Sequence, residues 1–341
     1  MITSNDINEY GINVEGRIFW ITYLVIVLLS SLIGDSIILL ATIKYNAIKL
    51  NKFLVTIMQH IAVCDILTSL SFVLPTLISL IANRWILGEV LAYIHIFLNV
   101  FSIQAGIYLT CVLTSSKLLI LRFTKSSSSW HAKHAHVVCC VIWGCALIWP
   151  ALRLGFDQYG LLFSYVHYNI NFGIYTEYTD FDKALNEVFV YAVLYIPLLI
   201  VILTTCGILY YLRAARKAAR ASGGHVRWQG IVTVVTVAVF LLISFLPDSI
   251  TALPLTKIAP EDTPKFSRAF EMLNTFNVVT NFYIYLFTIP SFRDFVRAGV
   301  GVVWVGVRSA VCKKWVHAAG AETERSAGRV NRIETMEQSL V

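Results

Sequence analysis

The amino-acid sequence predicts an all-α membrane protein built as a seven-transmembrane helix bundle, and three observations predict it. Of the 341 residues, 57% are hydrophobic and only 14% are charged, where an average soluble domain is about half apolar and about a quarter charged. Seven stretches have the length a bilayer requires of a helix, about 20 apolar residues, and each carries at most one charge. The basic residues gather in alternate connecting segments, as Lys and Arg do on the cytoplasmic side of a membrane.

Taken in order, the first 17 residues are polar and precede a span from Ile18 to Ile43 that is too long for a signal-peptide core. It is expected to insert uncleaved. The second span runs from Phe53 to Ala82, the third from Val90 to Ser116, the fourth from Ala135 to Leu152, and the fifth from Val188 to Leu212. The sixth covers Gln229 to Leu255 and keeps Pro247, which hinges a helix; the seventh covers Ala269 to Ile289. Between the fourth and fifth, Phe163 and Tyr165 followed by Asn169 and Asn171 alternate as the strands of a short hairpin do. After the seventh, Phe292, Phe295, Val296, Val300, Val303, Trp304 and Val307 recur at helical spacing with Arg293, Arg297 and Arg308 off the stripe. That pattern predicts a helix lying in the membrane interface. The chain therefore divides into an outer N-terminus (1–17), the spans (18–289), a membrane-surface helix (290–311) and a cytoplasmic tail (312–341).

The segments after spans one, three, five and seven carry 3, 4, 5 and 8 basic residues, 20 of the 27 in the chain. The other side holds most of the acidic residues, among them Asp6, Glu9, Asp157, Glu177 and Asp182. The N-terminus is thus expected outside and the tail inside, in a multi-pass protein of the plasma membrane. The net charge of +7 reads as topology and attraction to the anionic inner leaflet. It excludes a nucleic-acid surface, which needs its basic residues clustered on a folded, water-exposed face.

All seven cysteines (Cys64, Cys111, Cys139, Cys140, Cys145, Cys206 and Cys312) fall in spans or on the expected cytoplasmic side. No outer disulfide is expected. His131, His134 and His136 stand between spans three and four without a Cys or carboxylate at metal spacing, and read as part of a solvated basic loop. No catalytic constellation is present in the sequence, so the chain is not read as an enzyme.

Ionisable residues inside spans are costly and mark function. Asp35 and Asp65 lie mid-way along spans one and two, and Asp248 and Glu271 nearer the outer ends of six and seven. Asn277 and Asn281 share one face of span seven and can meet the two aspartates at mid-depth. Two carboxylates there cannot both ionise cheaply, so they share a proton or hold a cation such as sodium near Asp65. The other reading is a fully hydrogen-bonded core that joins helices.

The motifs resemble those of the rhodopsin-family (class A) G-protein-coupled receptors over roughly residues 18 to 297. Gly34-Asp35 stands where the family has Gly-Asn, and His60-Ile61-Ala62-Val63-Cys64-Asp65 resembles Asn-Leu-Ala-x-x-Asp. Trp85-Ile86-Leu87-Gly88 matches the first outer loop, Trp143 the tryptophan of span four, and Pro197 the proline of span five. Ser244-Phe245-Leu246-Pro247 resembles Cys-Trp-x-Pro, and Asn281-Phe282-Tyr283-Ile284-Tyr285 resembles Asn-Pro-x-x-Tyr. Departures are equally specific. The family's span-three cysteine falls on Ala92, and the Asp-Arg-Tyr triad on Ser116-Lys117-Leu118, where Lys keeps the cation and loses the planar fork.

The resemblance implies an outer ligand site of Asn99, Ile103, Phe245, Asp248, Ser249, Glu271 and Thr275. Asn99 replaces the aspartate of amine receptors, and Thr275 replaces the retinal-binding lysine. An ordinary monoamine receptor and a light sensor are therefore disfavoured. Asp248 and Glu271 favour a cationic small molecule or peptide, unless they reach outer water or pair with Lys257, Lys265 or Arg268. It also implies an ion-linked switch (Asp35, Asp65, Asn277, Asn281, Tyr285) and an inner G-protein coupling site (Ser116, Lys117, Leu118) for a heterotrimeric G protein, with arrestin as a further partner.

Cys312 is a candidate for palmitoylation, and Ser339, Leu340 and Val341 fit capture by a PDZ-domain protein. A non-signalling or arrestin-biased decoy or scaffold receptor is the alternative function, because Lys117 and Ser116 degrade the coupling triad. A transporter is the less favoured alternative, because it needs a polar path across the bilayer and the spans offer one mid-depth cluster around Asp65 and an outer acidic pocket with apolar residues below.

Overall fold

The computed structural model of the chain describes residues 14–44, 48, 50–122, 132–155, 159–164, 169–174, 188, 190–222, 229–251 and 263–299. Span one is α1 (Val14–Leu39), closed by a π turn over Leu40–Lys44. Span two is α2 (Lys52–Thr68), a π turn at Ser69–Val73, and α3 (Leu74–Ala82). Span three is α4 (Gly88–Arg122) and span four is α5 (Ala132–Gly155). Span five is a π segment, Val190–Tyr195, leading into α6 (Ile196–Ser222); spans six and seven are α7 (Gln229–Thr251) and α8 (Thr263–Thr288).

Local chemistry sets these boundaries. Asn51 caps α2 with its side-chain oxygen on the Phe53 amide at 2.8 Å. Pro75, in the first turn of α3, follows the π turn and withholds the N–H that a helix would return to the Ser71 carbonyl one turn earlier, and that carbonyl accepts from the ring of His95 instead. That helix ends on Asn83 in the left-handed region (φ 56°), and Gly88, at φ 80°, turns the chain into α4. Trp85 closes the same turn, its indole N–H donating to the Gly88 carbonyl at 2.8 Å.

Among the described residues, six spans are long and apolar enough to cross a membrane by length and composition alone. The seventh, α8, is interrupted by Asn274, Asn277 and Asn281 and takes its place by packing between α1 and α7. Span three is central, lying against α2, α5, α6 and α7. Apolar residues such as Ile26, Leu29 and Ile33 face outward on α1, while Ser31 and Asp35 on the same helix are fully buried. This inside-out distribution is that of a protein solvated by lipid.

The hairpin expected between spans four and five is present as β1 (Tyr159–Ser164) and β2 (Asn169–Ile174), antiparallel with Phe163 opposite Ile170 and Ser164 opposite Asn169. The second strand lies against α4 and α3. Trp85 packs with Ala92 and Ile96, so the position matching the family's cysteine is filled by a buried alanine under an indole.

Two sequence expectations are corrected. The helix of span three continues past Ser116 to Arg122, so Ser116, Lys117 and Leu118 are helical. His134 and His136 lie in α5, because that helix starts at Ala132, three residues ahead of the apolar run that marked it. Phe292, on a helix over 290–299, is buried edge-on to Phe282 with ring centres 6.0 Å apart. From Arg293 the chain forms a second unit, helical over 293–299. Residues 300–311 of the expected surface helix, and Cys312, Ser339, Leu340 and Val341, lie outside the described residues.

Candidate functional site

One face of α8 carries Glu271, Thr275, Val278, Asn281 and Tyr285 at helical spacing, and all five are buried. They form a largely polar stripe along the length of span seven. At one end, Tyr23 of α1 donates its hydroxyl to the Met272 carbonyl at 2.6 Å and lies 3.0 Å from the Thr275 hydroxyl. Glu271 is close enough for its charge to act on Tyr23. Sequence reading missed Tyr23, since nothing in a lone tyrosine on an apolar span announces a partner on span seven.

At mid-depth, the Asn281 amide donates to Asp65 at 2.7 Å, joining spans seven and two. Asp35 accepts from Ser31 at 2.8 Å, one turn back on its own helix, and Ser31 accepts from Ser69 of span two at 2.7 Å. Ser69 opens the π turn of that span, where the widened helix brings a small hydroxyl into the bundle. Asp35 and Asp65 are near enough for their charges to repel. The second oxygen of Asp35 and the Tyr285 hydroxyl are buried without a hydrogen-bond partner. Asp35, Asp65 and Tyr285 thus offer the oxygen donors a hard monovalent cation takes; no third His, Cys, Asp or Glu joins the pair among the described residues. On the same helix the Asn277 backbone carbonyl accepts from the Thr280 hydroxyl at 2.7 Å, a contact within span seven.

Among the other expected ligand residues, Ile103 and Phe245 pack together with Ile107, Leu198, Leu241 and Ala238 in an apolar cluster between spans three, five and six. Asn99 is half-buried with its side-chain oxygen unpartnered. His95, one turn earlier on α4, is 3% exposed, donates from Nδ1 to the Ser71 carbonyl in the π turn, and stacks on Phe72. Asp248 and Ser249 lie in α7, and their side chains fall outside the described residues.

The expected coupling triad sits at the opposite end of α4. Ser116 is buried, and Leu118 covers Gly207 of α6, where an added Cβ would lie 3.1 Å from a Leu118 methyl. Lys117 is half-buried, with its ammonium over Gly230 of α7, 3.2 Å from where a Cβ would stand. No carboxylate acts on Lys117 among the described residues. The lysine therefore reaches span six by resting on a glycine instead of pairing with an acid.

A third set of contacts joins spans two and four. The Trp143 indole N–H donates to His60 Nδ1 at 3.1 Å, and His60 Nε2 lies 3.2 Å from His136 Nδ1. Because an indole only donates, His60 carries its proton on Nε2 and passes the bond to His136. Phe101 of span three packs on the same tryptophan, ring centres 5.1 Å apart.

Compared with known proteins, residues 34–285 match the family described as 7 transmembrane receptor (rhodopsin family). The fold is similar to the crystal structure of squid rhodopsin, with a TM-score of 0.73 at 15% identity over 89% of this chain and 90% of that one. No curated protein sequence matches.

Proposed function

The chain belongs to the rhodopsin family of seven-transmembrane receptors, and on that premise we propose that it passes binding of a cationic small molecule or peptide at its outer end to a heterotrimeric G protein at its inner end. The observation that carries this reading is the buried stripe of span seven. Glu271 and Thr275 lie at one end and Tyr285 at the other, on one helix, so a shift imposed at the first is carried rigidly to the second. The side bearing Lys117 and the basic segments faces the cytoplasm of a plasma-membrane receptor, in keeping with the charge asymmetry. Asp65, with Asp35 and Tyr285, holds a sodium ion that stabilises one helix arrangement. Arrestin and a PDZ-domain protein are further partners of the inner side, and Cys312 is a site for a lipid chain.

The test is a ligand-library screen in cells carrying a promiscuous G protein, with Lys117→Arg beside the natural chain. Hits on both support the reading; hits on neither, with both chains at the cell surface, oppose it.

A second reading is favoured by Lys117 itself. A cation that no carboxylate restrains among the described residues, and that lacks the fork of Arg, fits a receptor that binds ligand and engages arrestin without activating a G protein. Hits confined to Lys117→Arg, with arrestin recruitment retained by the natural chain, select it.

A further inference from the structure

The π turn of span two, Ser69–Val73, packs against both span one and span three and is held from both sides. On the side of span three, the buried His95 meets it through Nδ1 on the Ser71 carbonyl and through a ring stacked on Phe72, with 9° between the planes. A carbonyl only accepts, so the imidazole carries its proton on Nδ1 and donates it. Its Nε2 is buried without a partner, which leaves that single bond as the polar anchor of the ring. On the side of span one, Ser69 donates to Ser31 at 2.7 Å and Ser31 to Asp35 at 2.8 Å, all three side chains being fully buried.

The two sides depend on each other through the turn. A π turn carries one residue more than α-helical pairing needs, and losing it rotates one half of a helix against the other by about 100°, the angle of one residue. The half that bears Asp65 is tied to Asn281 of span seven. In the other half Pro75 has no N–H to return to the Ser71 carbonyl, and His95 supplies the donor from a neighbouring helix. A buried carbonyl that loses its donor is costly. It regains one only if the turn moves, and any movement of the turn moves Ser69, two residues back.

We propose that His95 is a positioning residue for the mid-depth carboxylates, holding the π turn of span two in the register that keeps Ser69 on the line through Ser31 to Asp35. This line is separate from the polar stripe of span seven. It joins a histidine whose ring lies 5.3 Å from that of Trp85 to the carboxylate pair. The assignment rests on the geometry of the turn and needs no ion beside Asp65. A histidine that only filled space would act through its ring, whereas here the Nδ1 donor acts, and substitution separates the two. Asparagine keeps a donor at the place of Nδ1 and loses the ring; phenylalanine keeps a ring and loses the donor.

The experiment measures thermal unfolding of the full chain in detergent and sodium-free buffer, with Ser69→Ala made in the natural chain, in His95→Asn and in His95→Phe. Ser69→Ala is expected to lower the midpoint equally in the natural chain and in His95→Asn. In His95→Phe it is expected to lower it less than half as much, because the Ser69 bond is already lost there; His95→Leu takes the place of that variant if it fails to fold. Sites that share no partner add, so an equal effect in all three backgrounds overturns the proposal. An effect lost in His95→Asn as fully as in His95→Phe also overturns it, since the ring is then the cause. Titration with sodium chloride against choline chloride gives a second readout. His95→Phe is expected to raise severalfold the sodium concentration that gives half the stability gain, and His95→Asn to leave it unchanged. A gain with the same half-point in every chain overturns the role of His95; a natural chain with no gain overturns the sodium reading alone, and the outcome of the unfolding series then stands by itself for or against His95.

Discussion

Gly34 of span one rests against the root of the Phe282 ring of span seven, so closely that a Cβ on Gly34 would lie 2.6 Å from Cγ and 2.8 Å from Cβ of that ring. Phe282 occupies the place where the family's motif has proline, and on its other side it meets Phe292. The glycine therefore serves close approach. Its neighbour Asp35 is carried on the same turn into the polar core.

Gly34→Ala is expected to destabilise the chain by about 1–3 kcal/mol, the usual cost of overpacking. The atoms it meets are the base of a ring and cannot swing aside. Thermal unfolding in detergent checks this, and Gly34→Ala with Phe282→Ala, which removes the Cγ atom the new methyl meets, should recover part of the loss. Full additivity of the two changes would show that the contact is not the cause.

Gly230 presents the opposite case. A Cβ there would meet the Lys117 ammonium and a Leu50 methyl, each at 3.2 Å, and both are the ends of flexible side chains. Gly230→Ala is expected to change stability by less than about 1 kcal/mol while displacing Lys117. Agonist-driven G-protein activation should fall severalfold with surface expression unchanged. An unaltered response would mean that the seat of Lys117 on span six has no part in coupling.

The spans were legible because burial in lipid leaves a compositional trace that soluble domains lack, and the Asp65–Asn281 bond because both residues are polar exceptions on apolar helices. The hairpin was legible from alternation alone. Span three was read short, since Lys117 and Arg122 end an apolar run without ending a helix. Span four was read short for a related reason: Lys133, His134 and His136 are polar residues on its first turns, and they disguised a helix as a loop. Tyr23 and Ser69 were invisible because their roles depend on which helix stands opposite, and the π turn that presents Ser69 leaves no pattern in the sequence.

Two buried carboxylates within reach of each other oppose folding unless a proton or a cation lies between them. In sodium-free buffer Asp35→Asn is expected to raise stability by on the order of 1–3 kcal/mol. The natural chain should gain stability in sodium chloride over choline chloride of equal ionic strength, as any ion that binds only the folded state confers. Asp65→Asn should abolish that gain. A sodium effect that survives in Asp65→Asn would place the ion elsewhere.

The chain from Trp143 through His60 to His136 predicts coupling between spans two and four. His136→Ala removes the acceptor of the His60 Nε2–H bond, and His60→Ala removes both bonds at once. A double-mutant cycle of the pair should give a coupling of about 0.5–1.5 kcal/mol, the net worth of one hydrogen bond. Trp143→Phe with His136→Ala tests the direction of the chain. If the indole fixes the tautomer, His136→Ala should cost less once the indole N–H is gone, because His60 is then free to place its proton on Nδ1.

At the Trp85 end of the bundle Ala92 stands where the family resemblance places one cysteine of a disulfide, and the Trp85 ring takes over part of its work. Trp85 is hydrogen-bonded to Gly88, packs on Ala92, and lies 5.3 Å from the ring of His95. His95 in turn holds the Ser71 carbonyl of span two. A disulfide constrains the unfolded chain as well as the folded one, whereas this stack acts only when folded, so it should yield to heat and stay indifferent to reductant. Trp85→Ala is expected to cost about 3–5 kcal/mol where an indole is fully buried, and less here because that ring is partly exposed. The natural chain should show the same unfolding midpoint with and without dithiothreitol, and a drop in reductant would reveal a disulfide that the positions of the seven cysteines argue against.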